Sequence, residues 1–226
     1  MQRRLAMLGL VLFAAPVFAL GLAGLSDKDA VGGLKDALVQ AGAAAVGKLG
    51  VEDGFYKNPQ VRIPLPESLK SVEKGMRVLG LGRQADDLVL RMNRAAEAAV
   101  PEAKTLLVDA VKNMSVQDAK AILSGPDDAA TQYFRKHTAT PLAAKFLPVV
   151  QKATADLQLA RYYNRFADAG VKYGLLQKDQ ADLDAYVTHE ALDGLYLMMA
   201  EEEKAIRKDP LGASTHLIKK AFGAVR

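Results

Sequence analysis

Hydrophobic residues along most of the chain recur every three or four positions, which is the spacing of one face of an α-helix. The first such run follows Ser26, a residue type that can cap a helix. It comprises Val31, Leu34, Leu38, Ala41, Ala45 and Leu49. The alternating Val, Ile and Thr residues of half-buried strands are almost absent. The pattern therefore predicts an all-α fold.

Caps, glycines and prolines divide this pattern into about eight to ten helices. The predicted helices are 26–49, 66–80, 84–99, 101–114, 115–123, one after Gly125-Pro126, one from Thr140-Pro141, 159–169, one from about Thr188 to Asp209, and 216–222. No Ser/Gly-rich or Pro-rich linker separates them, and short connections between amphipathic helices favour one assembly. We therefore expect a single multi-helical domain at residues 26–226.

Three local signals mark where helices begin or bend. Ser115, followed three residues later by Asp118, indicates a capping box. Asp127 and Asp128 are expected to cap the helix that follows them. Pro148 lies inside a continuing helical period and predicts a kink rather than an end.

Residues 54–66 interrupt the helical pattern. The segment reads GFYKNPQVRIPLP, and each of its prolines holds the preceding residue extended. Two hypotheses remain open for it. It is either a strap whose apolar residues seek the core, or a recognition element on a preset backbone. The core-facing residues of the strap would be Phe55, Ile63 and Leu65. The outward residues of a recognition element would be Tyr56, Asn58 and Arg62.

The N-terminus has the organisation of a secretory signal peptide. Met1 to Arg4 carries two positive charges, and Leu5 to Leu25 contains no charged residue. The small residues after Pro16 favour cleavage after Ala19, which makes 1–19 the signal peptide, over a second candidate after Ala23. The alternative is an uncleaved anchor, since this segment is long enough to span a bilayer. That anchor would be the chain's only membrane contact. Both hypotheses place the remaining chain outside the cytoplasm, in the periplasm or otherwise exported.

Composition narrows the classes of function. The chain has 226 residues with 50% hydrophobic and 25% charged residues, as in ordinary globular proteins. Loss of the signal peptide would lower the formal net charge from +4 to about +2, and no run of basic residues predicts nucleic-acid binding. The absence of cysteine excludes disulfides, thiolate metal sites and iron–sulfur clusters. No cofactor is predicted.

Glu202 is the main candidate for acid–base chemistry. It lies three residues after Met199 and four before Ile206, which predicts that it faces the core. A carboxylate there requires a partner or a raised pKa, so a buried ion pair and a general acid or base both remain open. Its neighbour Glu203 is predicted to be solvated and paired with Arg207.

His189 and Asp193 form a partial match to a zinc-binding helix motif, in which two histidines four residues apart bind the metal. Asp193 stands at the place of the second histidine, and Asp can also bind zinc. The third ligand would be His137, His216 or a distant carboxylate. The alternative is that both residues are exposed in the first turn of a helix.

Signatures of the common enzyme classes are missing. The sequence has no G-x-S-x-G elbow and no S-x-x-K pair, and its glycines do not form a dinucleotide or P-loop pattern. The primary hypothesis is a non-enzymatic binding or scaffolding module of the cell envelope, with an unknown envelope protein or an apolar ligand as partner. The alternative is a cofactor-free hydrolase or lyase that uses Glu202.

Four blocks of the sequence resemble the bacterial domain of unknown function 4197 family. The blocks are GLKDAL from Gly33, GFYKNPQVRIPLPESL from Gly54, ILSGPDDAATQYFR from Ile122, and YVTHEALDGLYLMMAEEEKAIRKDP from Tyr186. The resemblance covers nearly the whole mature chain. It implies an exported, helical protein and supplies no catalytic residue.

Overall fold

The computed structural model describes residues 27–78, 80, 82–155 and 182–209. The predicted signal peptide, the helices predicted at 159–169 and 216–222, the Ser26 cap and the candidate ligand His216 all lie outside the described residues.

Helices account for most of the described residues. They are α1 (Asp27–Leu49), α2 (Glu67–Val78), α3 (Gly82–Ala99), a short 3-10 helix (Val100–Glu102), α4 (Ala103–Lys112), α5 (Val116–Leu123), α6 (Ala129–Thr154) and α7 (Leu183–Lys208). No strand occurs in these parts of the chain. The all-α fold class is confirmed, whereas the described ranges hold seven α-helices, fewer than the eight to ten that the sequence predicted for the chain.

The helix start predicted at Thr140-Pro141 is wrong, because α6 continues through both Pro141 and Pro148. Every fourth residue of α6 is buried, and this stripe stabilises the helix across both prolines: Ala130, Phe134, Thr138, Leu142, Phe146, Val150 and Thr154. Each proline lacks the amide that would bind the carbonyl four residues earlier. The carbonyls concerned belong to His137 and Ala144, which are exposed, so water can replace the missing donors.

The start predicted for the last long helix is also wrong, because α7 begins at Leu183 rather than near Thr188. The Asp182 side chain caps the helix by accepting hydrogen bonds from the amides of Asp184 (2.8 Å) and Ala185 (3.2 Å). Thr188 therefore lies inside the helix and is buried.

The capping box of α5 is confirmed. Ser115 Oγ accepts the Asp118 amide at 3.1 Å, and Asp118 Oδ2 accepts the Ser115 amide at 3.1 Å. These reciprocal bonds satisfy two amides that would otherwise lack a partner at the start of the helix.

The described helices enclose one connected apolar core. Helix α6 packs against α3 and α7, while α1 packs against α4, α5 and α7. The largest fully buried side chains include Phe55, Phe134, Phe146 and Tyr196. Phe55 comes from residues 54–66, which places this non-helical segment directly against the helices. The prediction that the whole segment is extended is wrong, because turns occupy residues 54–57 and 59–61, and the Asn58 amide donates to the Phe55 carbonyl at 3.1 Å. None of the described helices combines the length and the apolar character needed to cross a bilayer.

Candidate functional site

Residues 54–66, called the strap below, are fixed to α3 by the buried side chain of Glu97. Its Oε1 atom accepts hydrogen bonds from the amides of Phe55 at 3.0 Å and Tyr56 at 3.1 Å. Glu97 itself is only 4% exposed. Because buried amides require acceptors and this acceptor is charged, the start of the strap is held in one conformation.

Asn93, one turn earlier on α3, fixes the other half of the strap. Its Oδ1 atom accepts the Ile63 amide at 2.9 Å, and its Nδ2 group donates to the Ile63 carbonyl at 2.9 Å. The same Nδ2 group donates to the Val89 carbonyl at 2.7 Å. The buried Asn93 side chain therefore binds both the amide and the carbonyl of Ile63, as the backbone of a neighbouring strand would.

Phe55, Ile63 and Leu65 are buried, as the strap hypothesis predicted, and Val61 is buried as well. Helix α7 accommodates them through Gly194, because a Cβ atom there would lie 2.7 Å from Phe55 Cε1 and 3.2 Å from Val61 Cβ. The Tyr186 hydroxyl of α7 also donates to the Pro64 carbonyl at 3.1 Å. The strap is thus enclosed between α3 and α7.

Tyr56 and Arg62, two of the three residues predicted to face outward, lie together on the surface. The Arg62 guanidinium carbon is 4.7 Å from the centroid of the Tyr56 ring, a cation–π distance. Arg62 is exposed and Tyr56 is half-buried. Asn58 instead stabilises the turn, since its Oδ1 atom accepts the Gln60 amide at 3.1 Å and its Nδ2 atom lies 3.9 Å from Met198 Sδ.

Arg94 supports the Tyr56 ring from α3. Its guanidinium carbon is 5.8 Å from the ring centroid, and it donates to Glu97 Oε2 at 2.6 Å and to Asp53 Oδ1 at 2.7 Å. Hydrogen bonds from Lys57 and Arg94 lower the pKa of Asp53 below its ordinary value. Asp53 has a positive φ of 68°, a conformation that Asp tolerates better than most residues.

Sequence reasoning did not identify Asn93, Arg94 or Glu97. The sequence did contain one signal for Asn93 and Glu97. Together with the partly buried Val89 they are spaced four residues apart, which places all three on one side of α3. Polar residues at such positions indicate buried hydrogen bonds, but their partners lie about 30 to 40 residues away in the sequence.

Glu203 is fully buried, so the prediction that it is solvated is wrong, and Glu202, predicted to face the core, is only partly buried. Glu203 is 3% exposed, whereas the Glu202 side chain is 20% exposed and pairs with Lys48 of α1. The helical period fits both glutamates, because Glu203 follows the buried Met199 by four positions and Glu202 follows the buried Met198 by four. The predicted pairing of Glu203 with Arg207 is present, at 2.9 Å, although Glu203 is not solvated.

Both carboxylate oxygens of Glu203 are occupied by hydrogen bonds to the start of α6. Oε1 accepts the Ala130 amide at 3.0 Å, and Oε2 accepts the Thr131 amide at 2.9 Å and the Thr131 hydroxyl at 3.0 Å. The predicted cap by Asp128 is wrong, because its side chain makes no capping bond and accepts from Gln132 instead. Glu203 therefore caps α6 from a distant helix and has a structural role.

His189 and Asp193 are adjacent on α7, with His189 Nδ1 3.4 Å from Asp193 Oδ2. Asp193 also accepts from Arg135 of α6 at 2.6 Å, which supplies a positive charge where a metal would need to bind. His137 lies elsewhere on α6, with its ring 4.4 Å from the Tyr133 ring. In the described part of the chain, no three His, Cys, Asp or Glu residues are placed to hold a metal ion.

Among the cavities lined by described residues, two are open grooves at the surface. One, of about 290 Å³, lies between α4, α5 and α6 and includes Asp109, Asp118, Tyr133 and His137 in its lining. The other, of about 280 Å³, lies between the end of the strap and α2, with an apolar side formed by Pro64 and Leu65. Glu202 lines neither of these two cavities.

Comparisons with known proteins identify a family without an assigned activity. No curated protein matches the chain, and neither does any solved structure. The family model described as a protein of unknown function, DUF4197, matches residues 24–223, which is most of the sequence. The chain therefore belongs to the DUF4197 family.

Proposed function

We propose that this protein is an exported, non-enzymatic binding or scaffolding module of the bacterial cell envelope, and that the Tyr56–Arg62 surface of the strap contacts its partner. The charged and then apolar N-terminal sequence supports export to the periplasm. The occupied carboxylates of Glu97 and Glu203 support a non-enzymatic role, because their hydrogen bonds serve the fold.

The observation that carries the proposal is the fixed position of the Tyr56 ring. Glu97 binds the Tyr56 amide, and the guanidinium groups of Arg62 and Arg94 lie 4.7 and 5.8 Å from the ring centroid. Tyr and Arg are the residue types that most often dominate the energy of protein interfaces. A surface that is already ordered loses less conformational entropy on binding.

An envelope protein is the partner that this surface fits best, because a half-buried ring beside an exposed guanidinium offers both apolar contact and hydrogen bonds. An apolar ligand is the second partner class. It would lie against Pro64 and Leu65, in the cavity whose other lining residues are charged: Lys70, Glu73, Lys74 and Arg77. The alternative of a hydrolase or lyase lacks comparable support, since Glu202 is paired with Lys48 and lines neither described cavity.

Export is tested by fractionation of the producing bacterium and mass spectrometry of the intact protein. We expect a periplasmic chain that begins at Leu20, or at Gly24 if the second cleavage site is used. A cytoplasmic chain that retains Met1 to Arg4 would contradict this part of the proposal.

Partner binding is tested by in vivo crosslinking with a photoreactive amino acid at position 60, an exposed position of the strap, followed by pull-down from envelope extract. The Tyr56→Ala/Arg62→Ala variant should lose the crosslinked partner. Arg91→Ala is the matched control, because Arg91 is an exposed arginine of α3 that pairs only with Asp87 among the described residues. Equal recovery of the same partners by the wild type and the double variant would contradict the proposal.

A further inference from the structure

We propose that the Tyr56–Arg62 surface of the strap binds a carboxylate in an acidic segment of a partner protein. This inference rests on the proposed function and adds the chemistry of the partner. The charged groups around the Tyr56 ring differ in one respect. Most of them are paired within this chain, whereas the Arg62 guanidinium is not.

The carboxylates linked to Arg94 already have cationic partners. Asp53 pairs with Lys57 at 2.7 Å and with Arg94 at 2.7 Å. Glu97 accepts from Arg94 at 2.6 Å and from two strap amides. Glu52 pairs with Arg94 at 3.2 Å. These contacts occupy the acidic groups of the surface and neutralise two of its cations, Lys57 and Arg94.

The Arg62 guanidinium is exposed and lies 4.7 Å from the centroid of the Tyr56 ring. Within the described residues it forms no ion pair and donates no hydrogen bond. The Tyr56 hydroxyl and the side-chain amide of the exposed Gln60 have no hydrogen-bond partner among these residues either. The surface therefore offers unused donors, one of them charged, while its carboxylates are occupied.

A carboxylate is the acceptor that matches a free guanidinium best, because its two oxygens can accept two parallel N–H bonds. Contact with an aromatic ring leaves these donors free, since they lie at the edge of the guanidinium plane. The ring also restricts the motion of the Arg62 side chain, so less conformational entropy is lost when a carboxylate binds.

A single carboxylate fits this surface better than an extended anionic surface such as a membrane. Segments that bind anionic lipids carry clusters of unpaired basic residues. Here Lys57 is paired with Asp53, and the Glu52 side chain is 82% exposed. Glu52 would repel a broad anionic surface, whereas an acidic side chain of a protein can reach Arg62 alone.

The test is a titration of the full chain with a short, acetylated and amidated peptide that alternates glutamate with alanine. Binding is followed by the NMR signals of the strap amides and of the Arg62 Nε–Hε group. We expect saturable shifts at Tyr56 and Arg62, with a Kd on the order of millimolar for a ligand of this size. Matched peptides with glutamine or lysine in place of glutamate should not produce them.

Arg62→Glu should abolish binding of the glutamate peptide and permit binding of the lysine peptide, because the charge is reversed. Arg62→Lys keeps the charge without the planar fork and should weaken binding about threefold to tenfold. Arg83→Glu is the matched control, since Arg83 is an exposed arginine of α3 that has no ion pair and no aromatic contact among the described residues. It should change the Kd by less than about twofold.

Absence of saturable shifts with the glutamate peptide, or equal binding of the glutamine peptide, would overturn the proposal. An unchanged Kd in a folded Arg62→Glu protein would also overturn it, as would Arg62-dependent binding to phosphatidylglycerol vesicles without binding of the peptide. The proposed function fails separately, if no envelope protein crosslinks at position 60 while the purified chain still binds the glutamate peptide.

Discussion

Glu203 binds Thr131 twice, since its Oε2 atom accepts both the Thr131 amide at 2.9 Å and the Thr131 hydroxyl at 3.0 Å. This contact joins α7 to the first turn of α6. Arg207 completes the link by donating to Glu203 Oε1 and to the Ile122 carbonyl at the end of α5. One buried ion pair therefore holds together the ends of three helices.

Glu203→Ala should lower the free energy of unfolding by about 3–5 kcal/mol, because it leaves Arg207 and the amides of α6 without their buried acceptor. Glu202→Ala is the matched control on the adjacent residue. It removes only a partly exposed pair with Lys48 and should cost at most about 1 kcal/mol. Urea denaturation followed by circular dichroism measures both, and equal losses would contradict the structural role of Glu203.

Glu97→Gln should loosen the strap without unfolding the protein. We expect hydrogen exchange of the Phe55 and Tyr56 amides to accelerate about tenfold or more, since a hydrogen bond to a charged acceptor is weakened. Exchange in the middle of α7 should stay unchanged. Glu52→Gln is the control, because its carboxylate also pairs with Arg94 but is 82% exposed. A uniform acceleration across the chain would show that Glu97 does not act locally.

Two buried threonines should respond differently to replacement by valine. The Thr138 hydroxyl donates to the Phe134 carbonyl at 2.7 Å and is 2.8 Å from the Tyr196 hydroxyl, so Thr138→Val should cost about 1–3 kcal/mol. Thr188 Oγ1 is buried and has no hydrogen-bond partner among the described residues. Thr188→Val should therefore stabilise the protein by up to about 1 kcal/mol. Thermal unfolding compares the two variants, and the reverse order would contradict this explanation.

Gly194→Ala should destabilise the contact between α7 and the strap by about 1–3 kcal/mol, because the new methyl group would meet Phe55 and Val61 in a filled core. Gly32→Ala in α1 is the matched control. No atom lies within 4 Å of the position its Cβ would take, so this change should stabilise the helix by about 0.5–1 kcal/mol. A gain of stability in Gly194→Ala would contradict the close packing described here.

Glu190→Gln should change the dependence of stability on pH. Burial raises the pKa of Glu190 above its ordinary value, so the folded protein binds a proton more tightly than the unfolded chain. This contribution to stability is complete below the unfolded pKa and is lost as the pH rises through the folded pKa. The variant lacks that loss, so its stability relative to the wild type should increase between about pH 4 and pH 7. Urea denaturation of both proteins at pH 4 and pH 7 measures this change. The prediction would be contradicted if the stability of the variant relative to the wild type stayed constant or decreased as the pH rises.

Local patterns were sufficient where a helix depends on residues within one or two turns. The all-α class followed from the helical period, and the α5 capping box followed from Ser115 and Asp118. Burial of Phe55, Ile63 and Leu65 followed from their apolar character in a proline-rich segment. In the candidate site, Tyr56 and Arg62 were predicted to face outward, whereas their supports Arg94 and Glu97 were not identified.

The buried polar contacts depended on the tertiary structure. Glu202 and Glu203 are adjacent and differ by only about 100° around the helix, so the sequence alone did not decide which one is buried. That choice depends on the start of α6, whose amides are more than 70 residues away from Glu203 in the chain.

The sequence by itself determined the all-α class, the capping box of α5 and the break in the helical pattern at residues 54–66, because backbone propensity, capping and hydrophobic period act over a few residues. The tertiary structure decided that α6 passes through Pro141, that Glu97 and Asn93 hold the strap, and that Glu203 caps α6. Each of these features requires a partner that is distant in sequence, and the free energy of a buried hydrogen bond exists only once packing brings both groups together.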